Sequence, residues 1–230
     1  MKNSTKKYDA VIDACIENGK RLLEDSEYLY NFDRFSTANA LAILSQEEFA
    51  KAYIVKLVQD GAIPWCDEIL RATRDHHCKQ LMSIIMEYLF TPWEDKNKLL
   101  ERDKKIKENI QDFLLPRKVA DALNIFCHEK VGRWKSSSWC WAEDPKYDKG
   151  AKKVWEGKIE KIKQDSIYVS ISKEGKISKI PKDDREATKK SIELAKVLEE
   201  VATGQDVFAF TEREYIKDGL REMFSCILID

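Results

Sequence analysis

Residues 36–59, STANALAILSQEEFAKAYIVKLVQ, are apolar on nearly every side of a helix and yet carry two adjacent carboxylates. Two apolar stripes run along this helix at helical spacing, and Glu48 falls within one of them while Glu47 falls within the other. The apolar members are Leu41, Leu44, Ala52 and Val55 in the first stripe, and Ile43, Ala50, Ile54 and Leu57 in the second. A helix that is apolar all round is buried, so its carboxylates need partners. Lys51 lies within reach of either one.

A second group of polar side chains follows in the next predicted helix, which Asp67 opens and which we expect to reach Phe90. The group comprises Arg71, Arg74, Asp75, His76, His77 and Lys79. If the two helices are neighbours, these side chains and the carboxylates of the preceding helix form one interior polar network.

Other stretches also show helical periodicity. They cover residues 5–30, a charged amphipathic stretch at 93–112, the segment from Pro116 to about Lys130, the segment from Asp183 or Asp184 to Gly204, and residues 211–224. Residues 166–180, SIYVSISKEGKISKI, instead alternate polar and apolar positions around Glu174-Gly175, which indicates a β-hairpin. The prediction is an all-α bundle in one domain over residues 1–230, with a small β-hairpin.

The composition limits the classes of partner. The chain has 230 residues, with 40 Lys and Arg against 41 Asp and Glu, so its net charge of −1 creates no general attraction for nucleic acid or an anionic membrane. The six cysteines include no CxxC pair, so we expect reduced thiols and neither a metal nor another cofactor. The N-terminus has no apolar signal region, and the most apolar window is interrupted by charges. We therefore expect a cytoplasmic protein without a membrane span.

Two of these segments carry a resemblance to a known family. Residues 40–52, ALAILSQEEFAKA, and residues 75–79, DHHCK, resemble the AbiV family of abortive-infection proteins, a branch of the HEPN superfamily. The similarity continues weakly from Arg133 to Trp141 and resumes from Glu186 to Thr203, whereas the charged segment at about 150–182 looks like an insertion. The resemblance implies a helical bundle, a homodimer and a role in bacterial defence against phage.

Many HEPN relatives are metal-independent ribonucleases with an Arg-x4–6-His motif at the dimer interface, and Arg71 with His76 or His77 fits that spacing. The resemblance thus implies Arg71, His76 and His77 as catalytic candidates. In such an enzyme His76 would transfer protons and Arg71 would hold the phosphate. Glu47 or Glu48 would orient the imidazole. Lys51, Asp75 and Lys79 would complete a supporting polar network. The resemblance leaves open whether Arg71 and His76 are catalytic or structural.

The sequence leaves the target open. An endoribonuclease or a translation-blocking toxin would meet RNA, with contacts from Lys96, Lys98, Lys104, Lys105 and Lys107 or from the lysines of residues 146–163. The alternative is a non-enzymatic defence protein that binds a phage-encoded or host protein, with Trp134, Trp139 and Trp141 at the interface.

Overall fold

The computed structural model describes residues 7–91, 95–99, 101, 115–135, 146–204 and 210–228, and these residues form a predominantly helical fold. The α-helices are α1 (Asp9–Asn31), α2 (Phe35–Gln59), α3 (Asp67–Ala72), α4 (His76–Phe90), α5 (Arg117–Asn124), α6 (Arg133–Lys135), α7 (Lys149–Trp155), α8 (Lys158–Asp165), α9 (Arg185–Thr203) and α10 (Phe210–Leu228). A π-helical segment, Ile125–Gly132, joins α5 to α6, and residues 95–99 are also helical. The all-α prediction is confirmed.

Helix α2 is the central helix, as its apolar pattern predicts. It contacts α1, α4, α8 and α9, and its side chains are buried almost all the way round. The closest approach is at Gly19 of α1, where a Cβ atom would lie 2.6 Å from the ring of the fully buried Phe49. Glycine at position 19 lets α1 and α2 pack this closely. The close contact explains why α1 contains a residue that otherwise destabilises a helix. No helix in the described part of the chain has an uninterrupted apolar stretch long enough to span a bilayer.

The predicted helix from Asp67 to Phe90 is instead two helices, α3 and α4, separated at residues 73–75. Asp75 has an extended backbone (φ −76°, ψ 122°) and its carboxylate accepts a hydrogen bond from the amide of Cys78 at 2.9 Å, so it caps α4. The prediction of one helix was wrong because an aspartate inside a helical pattern can also begin a new helix. Arg71 and His76 consequently lie on different helices.

The helix predicted from Pro116 to Lys130 begins as expected but does not remain α-helical. Its second half is the π-helical segment, which contains Glu129 and Lys130. π-Helical turns are rare and are found often at functional sites. The predicted helix at 93–112 lies largely outside the described residues, apart from residues 95–99 and 101.

The segment at about 150–182 is more than a hairpin. Residues before the hairpin form α7 and α8, which contact α4, and α8 also contacts α2. The predicted hairpin follows as β1 (Ser170–Ile171) and β2 (Ile177–Lys179), paired antiparallel with Ser170 opposite Lys179 and Ile171 opposite Ile177. The first half of the segment therefore packs against the central helices, where it contributes to the candidate site.

Candidate functional site

A buried carboxylate on α2 is the centre of the site. One oxygen of Glu47 lies 2.6 Å from Nδ1 of His76 and 2.9 Å from the ammonium of Lys79, both on α4. The other oxygen accepts from Lys163 of α8 at 2.9 Å and from Gln80 at 3.1 Å. We call these five residues the Glu47 centre. Three helices thus meet at one carboxylate, and every lone-pair direction of that carboxylate has a partner.

The charges of the Glu47 centre keep its carboxylate ionised. The side chain of Glu47 is only 2% exposed, and those of Lys79 and Lys163 are 7% and 8% exposed. Burial by itself raises the pKa of Glu47, but the two ammonium groups outweigh burial and hold that pKa below its ordinary value. A buried, ionised acceptor is therefore present beside the imidazole of His76 at neutral pH.

The hydrogen bond to Glu47 assigns the tautomer of His76. A contact of 2.6 Å to an ionised carboxylate is favourable only if Nδ1 carries a proton, because the carboxylate can only accept. The ammonium of Lys163 lies farther away, at 3.1 Å from the same nitrogen. The side chain of His76 is 44% exposed, so Nε2 is the nitrogen available to a substrate. The geometry is that of a carboxylate-oriented histidine able to accept a proton from an external group.

Helix α8 supplies two residues to this site that the sequence analysis did not single out. Lys163 also bonds Glu160 at 2.7 Å, and Glu160 lies 3.7 Å from Nδ1 of His76. The sequence analysis had placed Lys163 among the lysines of residues 146–163 that would contact RNA, and this was wrong because its side chain is buried. One signal was present in the sequence, since helical spacing puts Lys163 on the same face as Ile159 and Ser166.

The carboxylates around His76 have a spacing that could hold a metal ion. One ligand atom each from Glu47, His76 and Glu160 lies within 4.8 Å of the others. The same carboxylate oxygens are held by the ammonium groups of Lys79 and Lys163 at 2.7–2.9 Å. Two positive charges in contact with the ligand atoms oppose the binding of a cation there. The residues present favour a positioned imidazole over a metal centre.

His77 lies in a separate cluster, although it is the next residue along the chain. Its Nδ1 is 3.3 Å from the ammonium of Lys130, which can only donate, so Nδ1 accepts and Nε2 carries the proton. Asp75 binds Lys130 at 3.2 Å, but its carboxylate is 3.7 Å from His77, too far for a hydrogen bond. A Cβ atom on Gly157 would lie 3.2 Å from Nε2 of His77, so the ring faces the α7–α8 turn. His77 therefore has no free basic nitrogen.

The carboxylate of Asp75 both caps α4 and forms an ion pair with Lys130 of the π-helical segment. Burial by itself raises the pKa of Asp75, but the hydrogen bond from the Cys78 amide and the ion pair with the Lys130 ammonium hold that pKa below its ordinary value. Because the folded-state pKa is depressed, this carboxylate stabilises the fold at neutral pH. That contribution is lost as pH falls below about 4, where the unfolded chain begins to bind the proton.

We expect Asp75→Asn to lower the free energy of unfolding at pH 7 by about 1–2 kcal/mol, because asparagine keeps the cap but loses the ion pair with Lys130. The difference from the wild type should shrink as pH falls below 4, since the wild-type carboxyl is then progressively protonated in the unfolded chain. Urea unfolding of both proteins at several pH values measures this difference in the free energy of unfolding. A difference that stays constant from pH 7 to pH 2 would contradict the ionic origin.

Arg71 does not join the Glu47 centre in any contact between described residues. Its guanidinium lies over the ring of Trp134 at 4.4 Å, and the residue is exposed. Glu48 and Lys51 also lie apart from that centre and pair with each other at 2.5 Å, near Cys15 of α1. The single network predicted for these residues is therefore several clusters, because adjacent positions on a helix point about 100° apart.

The other predicted RNA and protein contacts have mixed outcomes. Lys96 is buried and its ammonium lies 3.4 Å from the carbonyl of Leu89, so its prediction as an RNA contact was wrong. Lys98 is exposed but is paired with Asp95 at 2.8 Å. Six lysines of the second segment are exposed, namely Lys146, Lys149, Lys152, Lys153, Lys158 and Lys161. Five other candidates lie outside the described residues, namely Lys104, Lys105, Lys107, Trp139 and Trp141.

A family model matches most of the chain. This model, HEPN_AbiV, described as AbiV, matches residues 7–200, which include α1–α8, most of α9 and every residue of the Glu47 centre. No curated protein and no solved structure gives a significant match.

Proposed function

We propose that this chain, which belongs to the AbiV family of HEPN proteins, acts in abortive infection as a metal-independent endoribonuclease with His76 as its proton-transfer residue. The family and the helical fold are those that the sequence indicated, and the family suggests anti-phage defence. The observation that carries the ribonuclease proposal is the 2.6 Å hydrogen bond between buried Glu47 and half-exposed His76. Cleavage of cellular RNA would stop translation in an infected cell, and such a substrate would place the protein in the cytoplasm.

The proposed reaction needs only proton transfer and charge stabilisation. Nε2 of His76 accepts the proton of a ribose 2′-hydroxyl while the 2′-oxygen forms a bond to phosphorus and the bond to the 5′-oxygen breaks. The imidazolium then returns its proton to the leaving 5′-oxygen. Glu47 stabilises the imidazolium through Nδ1–H, and Lys79 and Lys163 keep Glu47 charged and in place. The products are a 2′,3′-cyclic phosphate and a 5′-hydroxyl.

Arg71 supports this proposal as an RNA-binding residue. Its guanidinium lies over the ring of Trp134, 4.4 Å from the ring centroid, and a guanidinium in such a contact can still donate paired N–H groups to a phosphate. Arg74, one turn further along the chain, is exposed, and no ion pair joins it to a described acidic residue. Both arginines precede α4 and therefore lie close along the chain to His76.

The test is cleavage of single-stranded RNA by the purified protein in EDTA. We expect 2′,3′-cyclic phosphate ends, because no metal takes part in the proposed reaction, and we expect DNA of the same sequence to stay intact because it lacks the 2′-hydroxyl. End-group analysis of the fragments measures the outcome. Cleavage that requires an added divalent ion, or cleavage of DNA, would contradict the mechanism. Absence of any cleavage, together with phage protection by a His76→Ala variant, would favour the defence protein that acts by binding.

A further inference from the structure

More than half of the large apolar side chains that the described structure leaves exposed lie in one small element, the β-hairpin. Six of the eleven fall within residues 167–180, and each of the six is between 44% and 71% exposed. They are Ile167, Tyr168, Val169, Ile171, Ile177 and Ile180. Single exposed apolar residues are ordinary, but a contiguous group of them indicates an interaction surface. An isolated two-stranded hairpin is also only marginally stable in water, so this hairpin gains from a surface that covers it.

The apolar side chains of the hairpin are not confined to one face. All three residues of β2 are exposed, so the described structure covers neither face of that strand. Side chains alternate along a strand, so Ile177 and Ile180, three positions apart, point to opposite faces. Tyr168 and Val169 are consecutive and are both more than half exposed. A flat protein partner would cover one face of such a hairpin, whereas a lipid interface surrounds the side chains that enter it.

The charges of the hairpin are mostly positive. Residues 166–182 contain four lysines and one glutamate, although the whole chain has a net charge of −1. All four lysines are exposed, namely Lys173, Lys176, Lys179 and Lys182. Lys179 pairs with Asp165, whereas no ion pair joins the other three to a described acidic residue. The chain as a whole is not attracted to an anionic membrane, but this local group of lysines is complementary to one.

Both ends of the hairpin are fixed to the start of α2. The hydroxyl of Ser36 donates to the carbonyl of Ser166 at 2.9 Å, and the amide of Ser36 donates to the carboxylate of Asp183 at 2.8 Å. The next acid, Asp184, accepts from the amide of Ala187 and caps α9. The base of the hairpin is therefore held by the body of the protein, while its apolar side chains and lysines are left to contact another surface.

We propose that the β-hairpin is a membrane-binding element that inserts its apolar side chains into the headgroup region of a bilayer containing anionic phospholipid. The isoleucines and Val169 enter the boundary between headgroups and acyl chains, and Tyr168 lies on its polar side. The lysines bind lipid phosphates while their methylene stems lie along the apolar surface. The open edges of the two strands stay at the headgroup depth, where water still reaches them. The proposal does not rest on the ribonuclease activity, because its readout is binding to lipid.

The test is co-sedimentation of the full-length protein with vesicles of phosphatidylcholine, either alone or with about one-third phosphatidylglycerol. We expect binding to the anionic vesicles, weaker binding at high salt, and little binding to phosphatidylcholine alone. Ile171→Glu should lower the partition coefficient roughly 10-fold or more, since an inserted isoleucine is replaced by a charge that the anionic surface repels. Val11→Glu is the matched control, because Val11 is a 48% exposed apolar residue on α1, and it should leave the partition coefficient unchanged.

The contribution of the lysines has a matched pair of its own. Lys176→Gln should lower the partition coefficient on the anionic vesicles roughly fivefold, because one contact with the charged surface is lost. Lys20→Gln, which removes an exposed lysine of α1, should leave that coefficient unchanged. Equal losses for the two variants would show that attraction is spread over the whole surface, and would overturn the assignment to the hairpin.

Hydrogen exchange of the wild type supplies a further measurement that needs no variant. We expect the amides of residues 167–180 to become more protected when anionic vesicles are added. Protection of these amides that rises with protein concentration in the absence of vesicles would assign the hairpin to a second copy of the chain and overturn the proposal. Failure to bind the anionic vesicles, or equal losses of binding for Ile171→Glu and Val11→Glu, would overturn it as well.

Discussion

Glu47→Ala should lower the free energy of unfolding by about 3–5 kcal/mol, because it removes the carboxylate that two buried ammonium groups share. Lys79 and Lys163 both bind Glu47 at 2.9 Å, and neither side chain is more than 8% exposed. Lys163 would keep Glu160, but Lys79 has no other ion pair within the described residues. Urea unfolding followed by circular dichroism at pH 7 measures the loss.

The neighbouring residue offers a matched control. Glu48→Ala removes a carboxylate from the same helix, but among the described residues Glu48 forms an ion pair only with Lys51, and both side chains are partly exposed. We expect that loss to be at most about 1 kcal/mol. Replacing Glu47 and Lys79 together by Leu and Met should recover much of the stability, since Lys163 keeps Glu160 and no buried charge is then left unpaired. Equal losses for Glu47→Ala and Glu48→Ala would show that the Glu47 centre is not the dominant buried ion cluster.

The second large effect is on activity. His76→Ala should reduce RNA cleavage about 10²–10⁴-fold, the usual contribution of a general acid–base residue, while the protein stays folded. His76 lies at the exposed end of the Glu47 centre, so removal of its imidazole leaves the buried ion pairs intact. Initial cleavage rates on a fluorescent single-stranded RNA, with unfolding curves as the check on folding, measure the effect.

His77→Ala is the control for that experiment, because it removes an adjacent imidazole. We expect it to retain most of the activity, since Nδ1 of His77 accepts from Lys130 and its Nε2 faces Gly157. Cleavage that is unaffected by His76→Ala would remove His76 from the mechanism. Cleavage that depends on His77 and not on His76 would place the reaction at the cluster of Asp75 and Lys130 instead.

Much of the fold was available from the sequence because helical periodicity and capping are local properties. The pattern of residues 36–59 predicted a buried helix, and the structure has it at Phe35–Gln59 with Glu47 inside. The hairpin around Glu174-Gly175 and the helix ending at Gly204 were predicted for similar local reasons. The break at Asp75 was missed, since a capping aspartate and an aspartate on a helix face look alike in one sequence.

The composition of the candidate site was decided by tertiary packing. Glu47 and Glu48 are equivalent in the sequence pattern, and so are His76 and His77. Neighbouring positions on a helix point about 100° apart, so packing put one member of each pair into the Glu47 centre and the other into a different environment. Lys163 reaches Glu47 across 116 residues of sequence. Local periodicity determines which residues are buried, but only the packing of α8 against α2 and α4 determines which charges meet there.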